Sequence, residues 1–209
     1  MLALVEGPSD VDFFRPLLDR CVNDLAVRLA PGTQVAVDVR TVRRSDGVRG
    51  SGIEQEIETS GPLDVIALHF DGTADPARER ARYFEPVVDR RAPHWPTLIA
   101  LAPVREMEAW AMADPDQLRR RVGRSADFST VLEGDRVQTP ERLTYPKRTM
   151  QEIFDLSRRR GRRPRAADAL PLIAENISLS SLRRLPSFAA FESELIDVFQ
   201  ERNSHEHPR

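Results

Sequence analysis

The sequence predicts an α/β fold: a mostly parallel sheet flanked by helices, followed by a C-terminal helical appendage. Three observations lead there. Short, nearly continuous apolar runs at residues 2–5, 63–70 and 97–104 have the length and composition of strands buried on both faces. Between them, apolar residues recur at helical spacing, most clearly Val11, Phe14, Leu17, Leu18, Cys21 and Leu25. Strands that alternate with helices in this way build parallel sheets covered on both sides.

Taken in order, the first strand runs into a helix from Ser9 to about Leu29, with Ser9 as its cap. Val35, Val37 and Val39 alternate across 34–42 as a second strand, and 51–60 reads as a short acidic helix. The run at 63–70 stops at Asp71-Gly72, and Pro76 suits the first turn of a helix over 76–91. After the strand at 97–104, residues 105–113 read as helical. Past Asp114-Pro115 the pattern changes. Residues 123–144 are polar and aperiodic, as in a loop, whereas 147–160, 166–176 and 188–200 resume helical spacing. Phe188, Phe191, Leu195, Ile196 and Phe199 give the last helix a core-facing side, and the tail with His205 and His207 reads as frayed. The expected organisation is an α/β core over 1–122 with a basic loop and helical appendage, 123–209, packed on it.

Composition narrows the function classes. No apolar stretch approaches the roughly 20 residues of a membrane helix, and the first strand begins at Met1, leaving no signal peptide. A cytoplasmic protein is expected. The single cysteine, Cys21, forms no internal disulfide and reads as a small core residue. Charge is unevenly placed: residues 1–104 hold 12 Arg against 16 acids, whereas 118–165 hold 13 Arg and Lys147 against 6 acids. A basic segment behind an acidic front half suits contact with a phosphate backbone, through Arg119, Arg120, Arg121, Arg148, Arg158, Arg159 and Arg160. A solvated arginine-rich loop is the plainer reading. Of 31 basic residues 30 are Arg, so Lys147 stands out as a compact point charge where every other cation is a planar fork.

In an open parallel sheet, ligands bind outside the carboxyl ends of the strands. Three of the four strands end in acids: Glu6 and Asp10 after the first, Asp71 and Asp75 after the third, Glu106 and Glu108 after the fourth. Carboxylates gathered in one cleft need a counter-charge, and Mg²⁺ or Mn²⁺ with oxygen ligands supplies it. Gly7 and Gly72 leave room for close approach.

The ordered set Glu6-Gly-x-x-Asp10, the acidic loop opened by Asp71, and Glu106-Met-Glu108-Ala-Trp after the fourth strand resembles a Toprim domain. With Tyr145-Pro-Lys147 opening a later helix, it is similar to a family of small bacterial Toprim-like proteins related to nucleases of the OLD type. The resemblance covers nearly the whole chain, its weight resting on four short motifs. It implies a metal-dependent nuclease, some relatives serving anti-phage defence. It implies Glu6 for metal binding and acid–base work, Asp10 and Asp71 for metal, Glu108 and less firmly Glu106 for the acid after the fourth strand. Lys147 matches the lysine that neutralises transition-state charge. The departure is Thr73, which stands where the Asp-x-Asp element has its second aspartate; Asp75 is the nearest substitute.

Two rivals remain open at this point. His69-Phe-Asp71-Gly-Thr73 resembles the signature of haloacid dehalogenase phosphatases, but His69 replaces the nucleophilic Asp, which removes the covalent route. His69 then reads as a packed strand-end residue. The other rival is a catalytically weak binding or regulatory subunit. The chain has no Gly-x-x-x-x-Gly-Lys loop, so an ATPase partner is a separate chain. Self-association into a homo-oligomer is a further partner reading.

Overall fold

The computed structural model describes residues 1–42, 51–71, 76–89, 91–122, 139–156 and 165–206. Its sheet has four strands, β1 (Leu2–Val5), β2 (Asp38–Thr41), β3 (Val65–His69) and β4 (Thr97–Leu101), all parallel in the order β2-β1-β3-β4. The α/β class expected from the sequence is therefore the observed one. Helices follow as α1 (Pro8–Leu29), α2 (Ser51–Thr59), α3 (Pro76–Glu79), α4 (Glu85–Asp89), α5 (Glu108–Ala111), α6 (Pro115–Val122), α7 (Pro146–Leu156), α8 (Ala166–Asn176), α9 (Leu179–Leu182) and α10 (Pro186–Glu206).

Alternate strand residues feed two cores, because successive side chains point to opposite faces. Ala3, Val5, Val65, Ala67, Ile99 and Leu101 enter the larger core with α1, α8 and α10. Leu2, Leu4, Ile66, Leu68, Leu98 and Ala100 enter the smaller one with Ile57 of α2 and Val87 of α4. The helix after β1 thus lies on one face, and the helices after β2 and β3 lie on the other. The strand order reverses direction between β1 and β3, which makes that pair the switch point of the sheet. Strand β4 is an edge, and Glu194 of α10 accepts the Ala100 N–H there at 3.1 Å.

Four local expectations change. Helix α1 begins at Pro8 with Gly7 as its cap residue, so Ser9 lies inside the first turn; Asp10 does the capping, accepting the Gly7 N–H at 2.8 Å. Strand β2 is limited to four residues because its one partner, β1, is four residues long; Val35 and Val37 pack on the core without joining the ladder. The helix over 76–91 is split by a π-helical turn, Arg80–Phe84. Pro86, lacking an N–H, leaves the carbonyl four residues earlier without its helical bond, which favours such a widened turn. The helix at 105–113 shrinks to α5, since Arg105 adopts a left-handed backbone with φ of 66°. Helices α6 and α9 have no counterpart in the sequence reading. Among the described residues, no helix is long and apolar enough to cross a membrane.

Candidate metal and nucleic-acid site

All four strands being parallel, the chain leaves β1, β3 and β4 at the same edge of the sheet. Glu6 and Asp10 follow β1, Asp71 follows β3, and Glu106 and Glu108 follow β4, so three strand ends on one edge of the sheet each carry a carboxylate. Asp75, Gly72 and Thr73 lie outside the described residues.

Each acid is held differently. Asp10 Oδ2 takes the Gly7 N–H, a structural duty that the sequence motif does not reveal. Gly7 itself has an extended backbone (φ of −150°), and a Cβ there would sit 3.8 Å from Asp10 Oδ2, so the chain's own geometry does not require a glycine. Glu106 precedes α5, so the two-residue spacing to Glu108 does not send them to opposite faces of one helix. Its Oε2 accepts the backbone N–H of Lys147 at 2.8 Å, tying the loop after β4 to the first turn of α7. Glu108 is 6% exposed. Burial pushes its carboxyl up to about 7, against a hydrogen bond from its own backbone and the charge of Lys147, while Glu106 and Asp71 push further upward. Asp71, Glu106 and Lys147 therefore lie within electrostatic reach of Glu108.

His69 ends β3 on the larger-core face. Its side chain is 0% exposed and packs on Phe14 with ring centroids 4.7 Å apart. Nδ1 lies 2.9 Å from the Leu101 carbonyl. Nε2 has no hydrogen-bond partner among the described residues and faces Asp71 Oδ1 at 3.7 Å and Asp10 Oδ2 at 3.9 Å. The sequence reading placed His69 as packing; the structure also aims it into the acid cluster. The one signal was its position, a polar ring closing an apolar strand directly before Phe70-Asp71. Arg105 is the other residue missed, because a positive φ on a non-glycine leaves no trace in composition.

The strand-end carboxylates are oxygen donors of the hard kind that Mg²⁺ or Mn²⁺ takes. Among the described residues no three His, Cys, Asp or Glu side chains stand where they could hold a metal ion together.

The basic residues divide. Arg119 and Arg120 stand on α6, the first paired with Asp116 at 2.8 Å and the second donating to Gln117. Arg121 donates to the Leu172 carbonyl of α8, which commits it to packing between helices. Arg148 sits exposed on α7, paired with Glu152 four residues on. Arg158, Arg159 and Arg160 lie outside the described residues.

No curated protein and no solved structure matches the chain. Residues 5–196 match the DUF4276 family, described as a domain of unknown function, a span that takes in β2, β3, β4 and all the acids named above. The chain belongs to that family.

Proposed function

We propose that the chain is a Toprim-like, metal-dependent nuclease that hydrolyses phosphodiester bonds in DNA or RNA. The observation that supports it most is buried Glu108, raised by burial and by the acids Glu106 and Asp71 and opposed by the charge of Lys147, on the sheet edge where β1, β3 and β4 end. Acids at one sheet edge with one point cation acting on Glu108 suit a metal-bound phosphate better than an uncharged ligand.

Glu6, Asp71 and Glu108 are the residues that would hold the ion, with Asp10 beside them. Bound Mg²⁺ or Mn²⁺ supplies polarisation of the phosphate and a water of lowered pKa. Lys147 contributes fixed positive charge where the transferring phosphate gathers negative charge. Glu106 fixes the first turn of α7 and with it the place from which Lys147 extends. Arg119, Arg120 and Arg148 grip backbone phosphates without reading bases. The resemblance adds a role as effector in anti-phage defence and a separately encoded ATPase as partner, and the sequence pattern adds a cytoplasmic setting.

Thr73, where the resemblance has an aspartate, favours a second reading, a regulatory subunit whose centre turns over slowly or not at all. One experiment separates the two. Mn²⁺ and Mg²⁺ binding by calorimetry is measured beside cleavage of supercoiled plasmid, single-stranded DNA and RNA, in wild type, Glu6→Ala and Asp71→Ala. Metal-dependent cleavage lost in both variants supports the nuclease. Metal binding without cleavage of any substrate favours the regulatory subunit, and no metal binding sinks the autonomous nuclease and leaves a binding subunit or a site completed by a partner.

A further inference from the structure

Tyr145 is set apart from the aromatic side chains of the core. Phe14, Trp110, Phe188 and Phe191 pack edge to face inside the larger core. Tyr145 is instead 66% exposed. A lone apolar side chain in water is ordinary on a protein surface. Two features make this one different: how its backbone is held and what surrounds it.

The backbone is fixed on both sides. Pro146, buried as the first residue of α7, confines the residue before it to extended conformations. The Tyr145 carbonyl accepts the Thr149 N–H at 2.9 Å, which ties it to the first turn of α7. Two residues on, Glu106 Oε2 holds the Lys147 N–H at 2.8 Å. The ring therefore stands in water on a base that is already ordered, and little backbone entropy is lost when something lies against it. The surroundings are cationic. Arg142 precedes Tyr145 by three residues, Lys147 and Arg148 follow within three, and all are exposed. Arg148 meets Glu152 with its side chain 76% exposed, and an ion pair so open yields to another anion at little cost.

An aromatic face among cations is what holds a single strand of nucleic acid: the cations take phosphates and the ring takes a base. Every base has such a face, so the contact is indifferent to sequence, but in a duplex the faces are covered by neighbouring base pairs. We infer that Tyr145 is a base-stacking platform, and that this surface takes single-stranded DNA or RNA in preference to duplex. The inference rests on the nuclease reading and names its substrate class. A base stacked on Tyr145 brings the phosphates of the same strand towards Lys147, whose charge also reaches Glu108.

The test reads binding, not cleavage. Fluorescence anisotropy compares labelled single strands of about 16 nucleotides, one DNA and one RNA, with a duplex of the same length. Full-length protein is used, in EDTA and again in Ca²⁺. Wild type is expected to bind at least one single strand about tenfold tighter than the duplex, the two arms showing which backbone it takes. Tyr145→Ala is expected to lose about tenfold on that strand and nothing on the duplex, whereas Tyr145→Phe, which keeps the ring, matches wild type. The side chain being exposed, both variants should fold, and circular dichroism checks that they do. An unchanged single-strand affinity in Tyr145→Ala overturns the stacking role and leaves the nuclease reading standing. So does an equal loss on strand and duplex, or a loss in Tyr145→Phe as large as in Tyr145→Ala. A wild type that prefers duplex overturns the substrate class. One that binds no nucleic acid in either buffer overturns the inference and the nuclease reading together, and leaves the exposed ring to a protein partner.

Discussion

Glu106 Oε2 and the backbone N–H of Lys147 are joined at 2.8 Å across 41 residues of sequence. The carboxylate lies at the N-terminus of α7, where unsatisfied N–H groups and the helix dipole both favour negative charge. It thereby fixes the helix that carries the only lysine. Glu106→Ala is expected to lower stability by about 1 kcal/mol, the bond being partly solvent-exposed, in urea denaturation. A variant as stable as wild type would mean that the contact positions nothing.

Removing the ammonium itself separates charge from architecture. Lys147→Met keeps the aliphatic stem and the backbone N–H that Glu106 accepts. Cleavage is expected to fall by about 100-fold, the scale for loss of one transition-state charge donor. Mn²⁺ affinity should change little. Equal losses in affinity and turnover would assign Lys147 to the ion's surroundings instead of to the reacting phosphate.

Glu108 makes the metal-free protein pH-sensitive. Its carboxyl is raised from an ordinary 4.5 to about 7, chiefly by burial. Below pH 4.5 folded and unfolded states both carry the proton. Between about 4.5 and 7 the unfolded chain releases it and the folded one keeps it, so this contribution to stability declines as pH rises, by about 3 kcal/mol at most. Thermal melts of metal-free wild type and Glu108→Gln across pH 4–8 should diverge on that side, with the glutamine variant flatter. Parallel curves would show that Glu108 is solvated.

Arg105 adopts a φ of 66° at the point where the chain leaves β4 for the acids. A left-handed conformation costs a non-glycine residue about 1 kcal/mol and costs a β-branched one more. Arg105→Val is expected to destabilise by about 1–2 kcal/mol, whereas Arg105→Gly does not destabilise at all. Circular dichroism melts check the order. If glycine proves the worse replacement, the arginine side chain holds the turn and the backbone does not.

How far the sequence carried depends on what each residue had to signal. Strand β1 and helix α8 were legible to the residue, because Leu2–Val5 is uniformly apolar and Ala166–Asn176 repeats cleanly at helical spacing. That β1, β3 and β4 end on one edge was legible, since parallel strands put their exits there whatever the loops do. Strand β2 was read too long because its extent is set by its neighbour and not by its own alternating valines. Asp10 was read as a ligand alone, when its sequence position is equally that of a helix-capping carboxylate. His69 was read as packing alone, since nothing linear tells which ring nitrogen finds a partner. The turn at Arg105 was invisible for the same reason: backbone handedness is decided by the surroundings.

The long reach between α1 and the last helices has a consequence for biosynthesis. Arg20 donates to the carbonyls of Ala174 and Ile177, 154 and 157 residues away, and Arg183 bridges Asp24 and Glu192. Helix α1 therefore cannot be sealed against the sheet until α8 to α10 have been made, and Lys147 too reaches its place only in the second half of translation. A nascent chain carrying β1, β3 and β4 alone has the acids without their clamp and without their cation. A chain made only as far as α6 therefore has the sheet and its strand-end acids without the helices that seal α1 against it.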